Sequence, residues 1–333
     1  MQQRHLGQQG LGQQGLQVSA LGLGCMGMSE FYGASDDQQS LDLMQAALEL
    51  GVNWFDTADA YGPHHNEALI GQFLKGNQRA LRIATKFGIV RRPGEYQRQL
   101  DNRPDYIHQA CEASLQRLGV GCIDLYYVHR VNPLHPIEDT METLAELVKQ
   151  GKIAHIGLCE VSSDTLRRAH AVHPVTALQT EYSLWCRDIE QDILPTCREL
   201  GIGLVPYAPL GRGFLTGTMN TTTDFAEDDF RGSLPRFQAE VRQHNLQLTQ
   251  GIAAMAADKQ CTAAQLCLAW LLAQGDDIAP IPGTRRLTYL QQNVAAAEIQ
   301  LTTAECQRLT ALSDGFTVQG ERYTPEGMKG VNA

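Results

Sequence analysis

Four side chains able to protonate a carbonyl stand at the ends of short apolar runs. Asp56 and Tyr61 follow Val52-Asn-Trp-Phe, Lys86 ends Arg82-Ile-Ala-Thr, and His129 follows Ile123-Asp-Leu-Tyr-Tyr-Val. A carbonyl carbon that accepts hydride needs a proton on its oxygen. A phenol of ordinary pKa, about 10, is too weak an acid for this unless a cation stabilises the phenolate. Lys86 can supply that cation. An ammonium beside an apolar pocket tends to lose its proton, so it needs the carboxylate that Asp56 offers from the neighbouring run. His129 can hydrogen-bond the carbonyl oxygen and orient it. Taken singly, Asp56 reads as a turn residue, Lys86 as solvent-facing, Tyr61 as packing and His129 as a core residue. Their coincidence at three successive run ends points instead to proton-assisted hydride transfer.

To meet, these groups need runs that are neighbouring parallel strands. Strand candidates recur at Val52–Asp56, Arg82–Lys86, Ile123–His129, Ile153–Cys159, Ala177–Tyr182, Gly203–Tyr207, Ile278–Pro282 and, weakest, Glu298–Leu301. Amphipathic helix candidates lie between them at Asp37–Leu50, Glu67–Leu74, Pro104–Leu118, Ile137–Lys149, Ser163–His170, Ile189–Leu200, Arg236–Lys259 and Ala263–Ala273. Ser35 with Gln38 and Thr302 with Glu305 have capping-box spacing, and Gly51, Gly119, Gly151 and Gly201 follow helix ends. Repeated β-α units demand right-handed crossovers between parallel strands, and eight of them close into a (β/α)8 TIM barrel whose chemistry sits at the strand C-terminal ends. No G-x-G-x-x-G joins an early strand to a helix, which argues against a dinucleotide site of the open-sheet kind. Gln17–Gly24 reads as part of a short N-terminal β-hairpin. It follows a tandem Leu-Gly-Gln-Gln-Gly duplication, Leu6–Gly10 and Leu11–Gly15, expected to be a flexible segment over 1–15 ahead of one domain over 16–333 that ends in a C-terminal tail.

Composition narrows the partners. The net charge is −10 and the basic residues are scattered, which offers a nucleic-acid backbone no landing stripe. The longest apolar run, Leu266–Ala273, is far short of the ~20 residues that span a bilayer, and Met1–Gly10 lacks the apolar core of a secretory signal. Nine cysteines without a C-x-x-C pair fit mostly buried thiols in a reducing cytoplasm. The adjacent His64 and His65 lack metal-ligand spacing, so no metal is expected. A small molecule is the expected partner; nothing in the sequence speaks to oligomeric state.

Three segments carry a family resemblance: Asn53-Trp-Phe-Asp-Thr-Ala-Asp-Ala-Tyr-Gly62, Ile83-Ala-Thr-Lys-Phe-Gly88 and Asp124-Leu-Tyr-Tyr-Val-His-Arg130. They resemble the signature segments of the aldo-keto reductases, over about Val18 to Asp314. The resemblance implies a catalytic tetrad of Asp56, Tyr61, Lys86 and His129, with Tyr61 as the acid–base residue. Histidine rather than glutamate at the fourth position implies reduction of carbonyls, aldehydes or ketones, to alcohols.

The resemblance also implies a cofactor track. Cys159 and Glu160 fall where the nicotinamide carboxamide is held, with Gln179 as the second amide contact. Tyr207 matches the aromatic ring that stacks on the nicotinamide, and the turn over Pro209, Leu210, Gly211 and Gly213 covers the pyrophosphate. Gly283, Thr284 and Arg285, with Gln292 and Asn293 on the following helix, resemble the grip on the adenosine end. Arginines there suit a 2′-phosphate, which favours NADP(H) over NAD(H). Cys159 stands where the family often has serine, and Gly283 where many relatives have lysine. The family also contains cofactor-binding regulatory subunits of the potassium-channel β type, which keep the tetrad and stand as the alternative.

Overall fold

A computed structural model of the chain describes residues 1–7, 15–77, 81–92 and 99–333. Its strands are β1 (Gln3–Leu6), β2 (Leu16–Ser19), β3 (Leu23–Gly24), β4 (Trp54–Asp56), β5 (Arg82–Phe87), β6 (Ile89–Val90), β7 (Gln99–Leu100), β8 (Ile123–Val128), β9 (Ile153–Cys159), β10 (Ala177–Glu181) and β11 (Gly203–Tyr207). The helices are α1 (Asp37–Glu49), α2 (His65–Asn77), α3 (Pro104–Leu118), α4 (Ile137–Lys149), α5 (Ser163–Val172), α6 (Ile193–Leu200), α7 (Ala239–Asp258), α8 (Ala263–Leu272), α9 (Leu287–Ala295), α10 (Thr303–Asp314) and α11 (Pro325–Met328). Capping works as the spacing predicts at α10, where Thr302 and Glu305 form a capping box, whereas α1 is capped by Asp36 rather than Ser35.

Seven strands form one parallel sheet in the order β11-β10-β9-β8-β5-β4-β3. The eighth stave is the segment 278–282, which lies between the two edges and makes the (β/α)8 barrel. On one side Ala279 N donates to Leu204 O and Ile281 N to Pro206 O; on the other Gly22 N and Gly24 N donate to Pro280 O and Pro282 O. Two sequence expectations are corrected here. Leu23–Gly24 belongs to the barrel, paired parallel to β4, rather than to a hairpin. Glu298–Leu301 is not a strand: Ala296–Glu298 is a 3-10 turn, and Thr302 then caps α10. The mechanism is simple, since the barrel already has eight staves without it.

The N-terminal hairpin pairs β1 with β2, and residues 8–14 of the duplicated segment lie outside the described residues. Leu6, Leu16 and Val18 are buried and continue the apolar stack inside the barrel, which contains Trp54, Ala84, Leu125, Tyr127, Cys159, Ala177, Val205, Ala279 and Ile281. A Cβ on Gly203, at the first residue of β11, would lie 2.5 Å from Leu6 Cδ2, so the hairpin plugs the barrel at its N-terminal end. That leaves the C-terminal end as the mouth. A second cluster fills the space between strands and helices, as a two-layer barrel requires.

Candidate active site

Register decides which side chains reach the mouth. Asp56 pairs with Ala84, and Lys86 lies two residues further along β5, on the same face. Lys86 in turn pairs with Tyr127, and His129 lies two residues beyond that. Asp56, Lys86 and His129 therefore share the inward face of three adjacent strands. Tyr61 arrives from the loop after β4, whose turn is fixed by Asp59 N bonding Lys86 O and Tyr61 N bonding Ala58 O.

The four groups meet. Lys86 Nζ ion-pairs with Asp56 Oδ1, donates to Thr57 O at 2.7 Å, and lies 3.3 Å from the Tyr61 hydroxyl. The Tyr61 and His129 rings are 5.8 Å apart, edge to face at 84°. Asp56 is held from its other oxygen by Gln179 Nε2 at 2.7 Å. Lys86 and Asp56 are essentially without solvent. Burial pulls the Lys86 ammonium towards neutrality, and Asp56, with smaller help from Tyr61 and Cys159, more than reverses this, so it stays charged. The phenol behaves differently from the sequence expectation that Lys86 holds its pKa down. Burial pushes Tyr61 up to about 12, outweighing the opposing pull of Lys86. Tyr61 is thus a protonated acid in the resting site.

The remaining expected site residues fall into two groups. Cys159, Gln179 and Tyr207 line the inward face beside the tetrad, and a glycine at 157 makes room for Tyr127, whose ring a Cβ there would meet at 2.3 Å. Glu160 is in the left-handed region (φ 55°) and its carboxylate is occupied by the Glu181 N–H at 2.9 Å and by Arg322 at 3.3 Å. Burial raises that carboxyl, but Arg322 and Arg130 more than offset it and hold it below the usual range. Pro209, Leu210, Gly211 and Gly213 form a tight turn after β11, with Gly211, Arg212 and Gly213 all at positive φ. Gly283 packs on Gly24, where a Cβ would sit 2.8 Å from the Gly24 carbonyl. Arg285 and Arg286 are exposed, Thr284 and Gln292 half-buried and Asn293 buried, far along the chain from the tetrad strands, with Arg285 beside the barrel's first loop. Arg285 donates to the carbonyls of Tyr32 at 2.6 Å and Gly33 at 3.0 Å, and to Ala34.

Sequence reasoning missed a set of residues that close the mouth. The tail returns over it: Tyr323 and Tyr207 share a hydroxyl–hydroxyl hydrogen bond of 2.8 Å, and Asn332 N bonds Glu160 O at 2.8 Å. Arg212 pairs with Glu181 at 2.9 Å and stacks over the Tyr323 ring. Tail residues carry no strand-end signal, and the quoted resemblance stops near Asp314; only Arg212, inside the Gly211-Arg-Gly213 turn, was within a segment already singled out. Among the described residues no three His, Cys, Asp or Glu side chains gather to hold a metal; His65 instead bonds Ser29 and Asp37. No described helix is long and apolar enough to cross a membrane.

The chain is similar to known proteins in sequence and fold. The model of the aldo/keto reductase family matches residues 20–314. A glycerol dehydrogenase from Gluconobacter oxydans superposes with TM-score 0.85 at 27% identity, covering 97% of this chain and 98% of its own. The holo form of an aldo-keto reductase from Bacillus halodurans gives 0.78 at 26% identity over 96% and 98%. An aldo-keto reductase from Klebsiella pneumoniae, solved with NADP and acetate, gives 0.71 at 26% over 92% and 95%. With a family match over most of its length and a Tyr–Lys–Asp–His cluster at the mouth of its barrel, the chain belongs to the aldo/keto reductase family.

Proposed function

We propose that the protein is an NADPH-dependent cytoplasmic reductase of aldehydes or ketones, with Asp56, Tyr61, Lys86 and His129 as its catalytic residues. The carrying observation is the buried Lys86–Asp56 pair in hydrogen-bond reach of the Tyr61 hydroxyl. The donor set fits a dinucleotide: an aromatic ring and an amide at the mouth (Tyr207, Gln179), a turn of positive-φ residues beside it (Gly211, Arg212, Gly213), and exposed arginines at the far end (Arg285, Arg286). A bound NADPH supplies the hydride.

The chain's own residues do the rest. Tyr61 delivers its proton to the carbonyl oxygen, and the neighbouring Lys86 ammonium stabilises the phenolate that remains. Asp56 keeps Lys86 charged, and Gln179 keeps Asp56 in place. His129 orients the carbonyl oxygen against the phenol. Tyr207 offers a stacking face, while Arg286 offers a forked donor for a 2′-phosphate, the terminal nitrogens of Arg285 being held by the carbonyls of Tyr32, Gly33 and Ala34. Tyr61→Phe tests this: with NADPH and a panel of aldehydes, turnover should drop about 10²- to 10⁴-fold while NADPH still quenches protein fluorescence. Undiminished turnover removes Tyr61 from the mechanism, and wild-type enzyme that oxidises NADH as readily as NADPH removes the cofactor preference.

A further inference from the structure

The charges at the mouth do not balance. Six charged side chains are buried there in one connected cluster, Arg130, Arg212, Arg236 and Arg322 against Glu160 and Glu181. Both carboxylates are already committed. Glu160 holds Arg322 through both oxygens at 3.3 Å, and Glu181 holds Arg212 at 2.9 and 3.2 Å with Arg236 at 3.7 Å. Arg130 has no carboxylate oxygen within 4.0 Å among the described residues. Its Nη1 donates to the His129 carbonyl at 2.6 Å, and its buried Nε has no hydrogen-bond partner.

Position makes this cation useful. Arg130 directly follows His129, and the groups that bear on its charge are Tyr207, Glu160, Tyr323 and Cys159, all at the mouth; together they outweigh burial and keep it protonated. It is 5% exposed, so the charge has been taken out of water with no carboxylate in ion-pair contact among the described residues and only the longer-range pull of Glu160, an arrangement that proteins tolerate when something supplies a closer counter-charge. With Nη1 spent on the backbone, the Nε edge of the guanidinium keeps donors suited to a planar two-oxygen acceptor that reaches it beneath the tail, where Gly330 packs on the side chain.

We propose that Arg130 anchors a carboxylate on the substrate, so that the enzyme selects aldehydes or ketones that also carry a carboxylate group. The proposal rests on the carbonyl-reducing reading above. A matched pair tests it: 4-carboxybenzaldehyde and its neutral methyl ester, methyl 4-formylbenzoate. Wild-type enzyme should favour the acid by about tenfold or more in kcat/KM, chiefly through KM, because a buried donor left unpaired by the ester is penalised. Arg130→Met should bring the ratio close to one, and Arg130→Lys, which keeps the charge but loses the fork, should retain part of it. No preference in the wild type overturns the proposal, as does a ratio that survives Arg130→Met. Weaker NADPH binding in Arg130→Met with the ratio intact also overturns it, since the cation then serves the cofactor. If Arg130→Met fails to fold, the wild-type ratio and inhibition by benzoate against benzamide decide. If wild-type enzyme reduces no aldehyde, the carbonyl-reducing reading fails, and calorimetry separates the two claims: benzoate binding to the NADPH complex that is lost in Arg130→Met upholds the anion site, and absent binding overturns it.

Discussion

Tyr61 sits between two opposed influences, a dry environment that favours its neutral form and an ammonium 3.3 Å away that favours its anion. Burial wins, and the sign of the consequence is definite. On the proposed mechanism the proton-loaded phenol is the active form for reduction, so activity is lost as pH rises through its pKa, which burial pushes up to about 12. Reductive kcat/KM, which reports the enzyme before the carbonyl binds, should therefore stay level from about pH 6 to 9. A fall centred within that window would mean the phenol is acidified before substrate arrives. The proposed mechanism therefore has Lys86 act mainly after the proton has left, by stabilising the phenolate, and less by preparing the acid beforehand. Tyr61 lies in the loop after β4 and was legible only beside Asp56 within the quoted segment, whereas Asp56, Lys86 and His129 were legible in the sequence because each ends a β-branched or aromatic run, and a strand end has a fixed place in a barrel. Arg130 shares that position but was passed over, since the sequence gives no sign that its charge lacks a partner.

At the scale of elements, the hairpin β1–β2 does more than its sequence suggests. Leu6 belongs to the duplicated segment, whose glycines and glutamines argue against packing, yet it is wholly buried against Gly203 beneath the barrel. Leu6→Ala should cost about 2–5 kcal/mol, as for other buried leucines that leave a cavity. Urea unfolding measures this, and a loss below about 1 kcal/mol would show that the hairpin rests on the barrel without filling it. The next strand along the chain, β3, shows where pattern reading reached its limit. Leu23–Gly24 is only two residues long, too short for periodicity to register, and its strand character comes from pairing with β4. Conversely, Glu298–Leu301 has a strand's composition but no unpaired edge to join. Turn chemistry at α10 was readable because the Thr302–Glu305 box is local, needing nothing from the rest of the fold.

Across the whole molecule, an acidic chain of net charge −10 surrounds a mouth where four buried arginines outnumber two buried glutamates. Such a contrast concentrates the attraction for anions at one opening and leaves the outer surface repelling them, so the proposed dinucleotide and carboxylate substrate would both be drawn to the same place. The tail contributes to that pattern through Arg322 and also lends Tyr323 to the Tyr207 hydroxyl, coupling a segment outside the repeating units to the ring expected to stack on the cofactor.

The join between the first and last staves has its own significance. Where the chain faces β3, the last stave presents Pro280 and Pro282, which accept hydrogen bonds from Gly22 and Gly24 but have no N–H to return. Half of the usual rungs are therefore missing along one line of the cylinder, and the longer of the two that remain is 3.4 Å. Breathing motions of the native protein should begin along this line. In a hydrogen–deuterium exchange experiment the Gly22 and Gly24 amides should lose protection well before those of β8; equal protection at both would mean that side-chain packing, and not the ladder, holds the cylinder shut.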